Sequence, residues 1–351
     1  MTESNSVEIH ENSILIDGQG VTVLLPVVQL PPEPIGGVDY IERALAGGVS
    51  AQNVTMGIGG IGMGTDDFRA LVSTMNGHYC YFEIEPRLKH ILVGDDIRQA
   101  KRERKLGVIF GVQGIAPKIE DDPGLIRIVH RLGLRVAQLT YNERCSLGCG
   151  CLEIPDTGLT QLGRICIREM NHVGICVDLA HAGDQTMLDA IECSREPIIV
   201  SHGNVRALCD TPRNYGDDAL RQLAACAGVI GITAYGPLCE TKAGVRPTLD
   251  DMVDHIAYVA DLVGIDHVGI GSDFFESESP VRFHAFFKVR YPEVFSEYDL
   301  SNVYFDEFKR VEHFPKLTQA LLKRGFSAED TAKVLGGNFL RVFDAVWKET
   351  A

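Results

Sequence analysis

The chain of 351 residues carries 48 acidic against 33 basic side chains, a net charge of −15, which argues against nucleic acid as a partner because phosphate binding needs concentrated Lys and Arg. No apolar run reaches the ~18 residues of a membrane span, and the polar opening MTESNSVEIHENS lacks the basic and apolar regions of a secretory leader. The ten cysteines then read as free thiols of a reducing cytosol, and a cytoplasmic protein is expected.

Short apolar runs and helical patterns alternate along the chain. A first strand over Ile14–Asp17 is followed by a proline-rich loop, Leu25–Gly37. A second strand, Ala51–Met56, leads into a glycine-rich stretch, Gly57–Gly64, and a helix over Asp66–Asn76. The glycine spacing there is weak evidence for phosphate binding, and a loop is the better reading. A helix over Asp95–Lys105 precedes the third strand, Gly107–Val112, and one over Gly124–Arg131 precedes the fourth, Leu134–Leu139. Helices Gly158–His172, Gln185–Cys193, Asp217–Ala225 and Leu249–Val263 then lead to strands Ile175–Leu179, Ile198–Ser201, Val229–Thr233 and Val268–Gly271 in turn. Phe274–Phe314 is long, aromatic and irregular, and is expected over the mouth of the fold; Thr318–Trp347 reads as two helices with breaks at Gly325 and Gly336–Gly337.

The strand runs are continuously apolar, as parallel strands covered on both faces must be. Eightfold strand–helix alternation predicts a closed α/β barrel, (β/α)₈, over about residues 14–273 of one domain spanning 1–351. An open doubly wound sheet is the competing architecture, but no glycine-rich phosphate turn follows the first strand.

Chemistry in such barrels sits at the C-terminal ends of the strands. There the sequence places Gln19 after the first strand, Gln113 after the third, Tyr141 and Asn142 after the fourth, Asp178 and His181 at the fifth, His202 at the sixth and Asp273 at the eighth. Neighbouring parallel strands lie about 4.8 Å apart, so His181 and His202 can meet on one cation. Asp273 would be a third ligand or the base that takes a proton from water. For any one of the eleven histidines a packing role is the better reading; two at consecutive strand ends, with an aspartate at the eighth, favour a site. Cys145, Cys149 and Cys151 form C-x3-C-x-C, a spacing unlike a zinc knuckle, and packing is the preferred role.

The segments GICVDLAHAGDQTMLDAIECSREPIIVSHGNVRAL, DTPRNYGDDALRQLAACAGVIGIT, HVGIGSDF and FPKLTQALLKRGFSAEDTAKVLGGNFLRVF resemble the membrane (renal) dipeptidase family, peptidase family M19, and the likeness runs from about Ile14 to Trp347. It implies a TIM barrel of the amidohydrolase type that hydrolyses dipeptides with two bridged zinc ions. It places His181 and His202 on the second zinc, Arg213 on the substrate carboxylate and Asp273 as catalytic aspartate, and suggests a homodimer by analogy.

The chain departs from that pattern in one cluster. The His-x-Asp pair of the first strand reads Gln19 and Val21, the bridging glutamate reads Gln113, and a substrate-facing histidine reads Tyr141. Val binds no metal, and an amide supplies no negative charge to hold two dications together. At most one zinc ion is therefore expected, at His181 and His202 with or without Asp273. The first functional reading is a hydrolase of a dipeptide or similar small amide, with Asp273 and Tyr141 catalytic and Arg213, Asn142, Gln113 and Gln19 on the substrate. The alternatives are a metal-independent lyase, isomerase or cyclase on the same scaffold, and a non-catalytic binding barrel.

Overall fold

The computed structural model describes residues 3–20, 37–57, 67–242, 245–274, 288–289, 292 and 303–347. Val21, the Leu25–Gly37 loop up to residue 36, most of the Gly57–Gly64 stretch and most of Phe274–Phe314 lie outside them. Nine parallel strands run in chain order: β1 (Leu15–Asp17), β2 (Val49–Thr55), β3 (Leu88–Ile91), β4 (Leu106–Val112), β5 (Leu134–Gln138), β6 (Cys176–Asp178), β7 (Ile199–Gly203), β8 (Val229–Ile232) and β9 (Val268–Ile270). Pairing of β2 with both β1 and β4, and of β9 with β1, closes eight of them into a (β/α)₈ barrel. These eight are the strands expected from the apolar runs. The ninth, β3, pairs along the first half of β4 as an extra edge outside the closed ring. Its sequence, LKHI, has only its two ends buried, so it lacks the continuous apolar signal of a barrel strand.

Helices α1 (Glu3–Asn12), α2 (Tyr40–Ala46), α3 (Phe68–Ile84), α4 (Gly94–Glu103), α5 (Leu125–Arg131), α6 (Gln161–Val173), α7 (Asp184–Cys193), α8 (Asp217–Ala225) and α9 (Leu249–Val263) surround the strands. Two of these escape the sequence reading. α1 is mostly polar, with Val7 and Ile9 its only large apolar residues, and α2 is only seven residues long, started by Asp39 accepting from the Glu42 backbone N–H. The C-terminal segment forms α10 (Phe314–Arg324), α11 (Ala328–Ala332) and α12 (Asn338–Val346). The expected break at Gly325 is a left-handed C-cap at φ 108°, and Gly336 kinks the second helical stretch between α11 and α12.

The base of the barrel is plugged from below. Ile16, Ala51, Ile109, Val136, Cys176, Ile199 and Val229, one from each of seven strands, form an apolar ring together with Phe339 and Phe343 of α12. A Cβ on Gly18 or Gly269 would meet the Phe339 ring at 2.6 or 2.7 Å, so both strands are glycine where that ring enters. Polar chemistry is thereby confined to the opposite end.

Two seams of the barrel are thin. β1 meets β9 at one register pair, Asp17 with Ile270, and β6 meets β7 at one, Asp178 with Ile199. Each seam carries a fully buried aspartate that bonds across it. Asp17 accepts from the Ser272 backbone N–H at 2.7 Å and from the Ser272 hydroxyl; Asp178 accepts from the Ser201 backbone N–H at 2.9 Å. These carboxylates take up donors that a longer ladder would have satisfied. Burial pushes Asp17 up to about 7, against its Ser272 and Gln19 hydrogen bonds, and pushes Asp178 upward as well.

Candidate active site

Just beyond each seam the chain turns abruptly and presents a site residue. His181 follows β6 at φ 66° and Asp273 follows β9 at φ 56°, both in the left-handed region that non-glycine residues seldom enter. The surrounding hydrogen bonds hold them there. Cys151 donates its N–H to the His181 carbonyl at 2.8 Å, and the Asp273 N–H donates to the Gln19 carbonyl at 2.8 Å. The Tyr304 hydroxyl caps the Asp273 carbonyl. His202 is aimed by a different device. Between β7 and β8, Val200 faces Ile230 and Gly203 faces Ile232, so three steps oppose two. The extra residue is a bulge at Ser201–His202 that re-aims the imidazole toward its neighbour.

The two imidazoles meet tip to tip, with Nε2 of His181 3.1 Å from Nε2 of His202. Their outer nitrogens are both engaged. His181 Nδ1 lies 2.7 Å from Asn142 Oδ1, and His202 Nδ1 lies 2.9 Å from Ser201 Oγ. With Nδ1–H donating to the Asn142 oxygen, His181 directs an Nε2 lone pair at His202. The space between the rings therefore calls for either a proton on His202 Nε2 or a shared cation. Two nitrogens on one tetrahedral zinc stand roughly 3.3 Å apart, close to the distance found. Burial, with Arg213 adding to it, drives both imidazoles well below the usual histidine range, so they are neutral electron-pair donors. The donor set thus fits one metal ion.

Around this pair stand the other predicted residues. The Tyr141 ring stacks on His181 with centroids 4.2 Å apart. Arg213 is buried and donates to the His202 carbonyl at 3.1 Å and to the Tyr215 hydroxyl at 3.4 Å. Burial opposes its charge, yet its proton affinity stands above the ordinary arginine value, with the Asp273 carboxyl among the groups that raise it. The Asp273 carboxyl makes no hydrogen bond among the described residues. Burial raises it to about 7, and the Arg213 charge pulls the other way. A carboxyl poised near neutrality without a partner can take a proton from a reacting group. No group of three His, Cys, Asp or Glu side chains among the described residues is disposed to hold a metal, which favours Asp273 as base over Asp273 as third ligand.

The opposite side of the mouth is built differently. Gln19 and Gln113 both donate from Nε2 to the Thr55 hydroxyl, at 3.1 and 3.2 Å, and Gln19 Oε1 is buried with no partner. The buried Lys118 ammonium donates to the carbonyls of Gln113 and Gly114 and so holds the turn that presents Gln113. Two neutral amides spent on one hydroxyl bring no negative charge to this side of the mouth, where a bridged pair of dications would need it. Thr55, Ser201 and Lys118 were not read from the sequence. The first two fall at or near the ends of strand runs, Thr55 in AQNVTM and Ser201 in IIVS, and only Lys118, a lone cation between apolar neighbours in IAPKI, gave any signal.

The three clustered cysteines have separate structural duties. Cys145 donates to the Leu139 carbonyl, Cys149 accepts from the Thr157 N–H, and Cys151 donates to Asn142 Oδ1. Burial raises the Cys145 thiol and raises Cys151 to about 11, which leaves both protonated and poor as nucleophiles. Gly150, between Cys149 and Cys151, has no room for a side chain: a Cβ would stand 1.9 Å from the Tyr141 carbonyl.

The sequence matches the family model of the membrane dipeptidases, peptidase family M19, over residues 4–284 and 294–350. The chain belongs to that family. It is 31% identical over 254 residues to dipeptidase tcpJ of Claviceps purpurea, covering 72% of this chain and 54% of that protein. It is 32% identical over 247 residues to dipeptidase aclJ of Aspergillus oryzae, covering 69% and 52%. The chain thus spans about half the length of the curated relatives it matches. An amidohydrolase from Pseudomonas aeruginosa superposes with a TM-score of 0.84 at 31% identity over 97% of this chain and 99% of that one. No described helix is long and apolar enough to cross a membrane.

Proposed function

We propose that this M19 protein hydrolyses a dipeptide or a related small amide with a free carboxylate, with one zinc ion at His181 and His202. The observation that carries this reading is the tip-to-tip pair of neutral imidazoles, facing a mouth that also holds Arg213 and Asp273. Zinc bound there supplies Lewis acidity to a carbonyl oxygen and to water. Arg213, whose planar fork suits a carboxylate, anchors the substrate terminus. Asp273, near neutrality, takes a proton from water and returns it to the leaving amine. Tyr141, stacked on His181, packs against the substrate and offers its hydroxyl as a donor. Gln19 and Gln113 line the far wall and present neutral hydrogen-bonding groups where an anionic ligand set is missing.

Metal analysis of the purified protein, paired with turnover of a panel of L,L- and L,D-dipeptides, tests the proposal. The expected result is about one zinc per chain and hydrolysis lost on chelation and restored by zinc. Hydrolysis untouched by chelators, or two zinc ions per chain, overturns it. A second reading is favoured by the amide knot at Thr55: a metal-independent enzyme using Asp273 and the histidines as acids and bases. Turnover of a dipeptide-like substrate without hydrolysis, in metal-free protein, selects it.

A further inference from the structure

The end of the barrel opposite His181 and Asp273 holds a cavity of about 680 Å³ between α1, the turn from α2 to β2, the end of α4 and the start of α10. That volume lies within the range of small-molecule pockets. One part of its lining is apolar, with Val7, Leu45 and Pro315 among it, and Val7 is 45% exposed. The other part is basic. Lys101 and Arg104 come from the run KRERK, four cations in five residues of a chain whose net charge is −15.

Lys105 of the same wall pairs with Glu103 at 3.2 Å, but Lys101 and Arg104 form no ion pair among the described residues. Lys101 is half-buried, and burial lowers its proton affinity, with the one acidic residue of the wall, Glu11, opposing that. His10 is committed elsewhere: its nitrogens reach the Thr318 hydroxyl at 2.7 Å and the Gly47 carbonyl at 3.0 Å. Helix α4 ends at these residues, and its C-terminal carbonyls account for part of the basic run, as at many helix ends. They do not account for a half-buried lysine beside an apolar hollow, because a cation at a helix end is satisfied in open water.

The geometry points to a second binding site at the base of the barrel for a carboxylate carried on an apolar body, its anion on Lys101 and Arg104 and its body along Val7, Leu45 and Pro315. Pairing with the half-buried Lys101 and the exposed Arg104 supplies affinity for the head group, and burial of the chain supplies the rest.

Octanoate, its neutral counterpart octanamide and inorganic phosphate are the probes, titrated into the full chain by calorimetry. Octanoate is expected to bind, octanamide and phosphate alone at least about tenfold more weakly. K101A/R104A, which alters partly exposed side chains only, is expected to weaken octanoate at least about tenfold. A46W, which fills the hollow from an exposed position and leaves both cations in place, is expected to abolish binding. Absence of octanoate binding up to about 1 mM, or binding that survives both variants, overturns the inference. Circular dichroism of each variant separates loss of the site from loss of the fold.

Discussion

The two halves of the barrel mouth stand on one closed ring of strands and reach opposite chemistry. On the β6–β7 side, a left-handed turn and a bulge bring two imidazoles within 3.1 Å, with their outer nitrogens engaged by Asn142 and Ser201. On the β1–β2–β4 side, equally buried side chains at Gln19 and Gln113 meet as neutral groups on the Thr55 hydroxyl. The first side directs nitrogen lone pairs at one space; the second spends its amide N–H groups on one hydroxyl and leaves only the neutral Gln19 Oε1 buried without a partner among the described residues. The scaffold sets where side chains meet; the charge and lone pairs of those side chains decide whether a cation can join them.

The largest effect expected of this contrast lies on the imidazole side. His202→Ala should remove the zinc and lower kcat/KM on the order of 10³-fold, since it takes away one of two protein donors. Bound zinc measured by mass spectrometry and steady-state kinetics check it together. Retention of both metal and activity would break the comparison at its root. Next in size is Arg213→Met, expected to raise KM roughly 100-fold, on the order of 2–3 kcal/mol, for substrates with a free carboxylate. The same variant should leave KM for the corresponding carboxamide unchanged, which separates recognition from a general loss of packing around the His202 carbonyl.

Much of this asymmetry is legible in the sequence, for a physical reason. A barrel strand buried on both faces is continuously apolar, so eight runs announce themselves, and the polar residue ending each run is easily seen. His181 and His202 meet, Arg213 reaches the His202 carbonyl, and Gln19 and Gln113 share one partner. That partner, Thr55, was hidden, as was Ser201, because a β-branched hydroxyl or a serine near the end of a strand run carries no sign of which way it faces. The bulge that turns His202 and the left-handed turns at His181 and Asp273 were equally invisible. They depend on pairing with strands far away in the chain, not on local residue preference. Strand β3 and helices α1 and α2 were missed because one is half-exposed, one is mostly polar and one is short.

The wiring of the imidazoles can be sharpened at Asn142. Asn142→Leu keeps the volume but removes the acceptor that holds His181 Nδ1–H, so Nε2 no longer has a fixed lone pair. Zinc affinity is expected to fall about tenfold, read by competition with a chromophoric chelator, with no change in the far-ultraviolet circular dichroism. On the amide side, Gln113→Glu replaces a donor to Thr55 with a buried carboxylate. Stability should fall by about 1–3 kcal/mol in urea titrations, and metal content should stay at its wild-type value, because Gln19 still offers no charge. A second equivalent of zinc in this single variant would mean that the two sides differ by one residue and not by a network.

A last contrast tests the seam that carries Asp273. Asp17 is raised to about 7 in the folded chain, chiefly by burial, against about 3.9 for an unfolded aspartate. Between those values the folded state binds more protons than the unfolded one, so stability falls as pH rises from about 4 to about 7 and is level outside that window. One such group contributes a slope of at most about 1.4 kcal/mol per pH unit. Asp17→Asn keeps the carbonyl oxygen that accepts from the Ser272 and Gln19 backbone N–H groups. The Ser272 hydroxyl, deprived of its carboxylate, can turn to the Gln19 carbonyl 3.4 Å away. The seam should therefore survive while its pH dependence diminishes. Urea midpoints at pH 5 and pH 7.5 should move closer together in this variant than in the wild type. An unchanged gap would assign the slope to Asp178 and Asp273, the other two aspartates that burial raises, and would leave Asp17 ionised throughout.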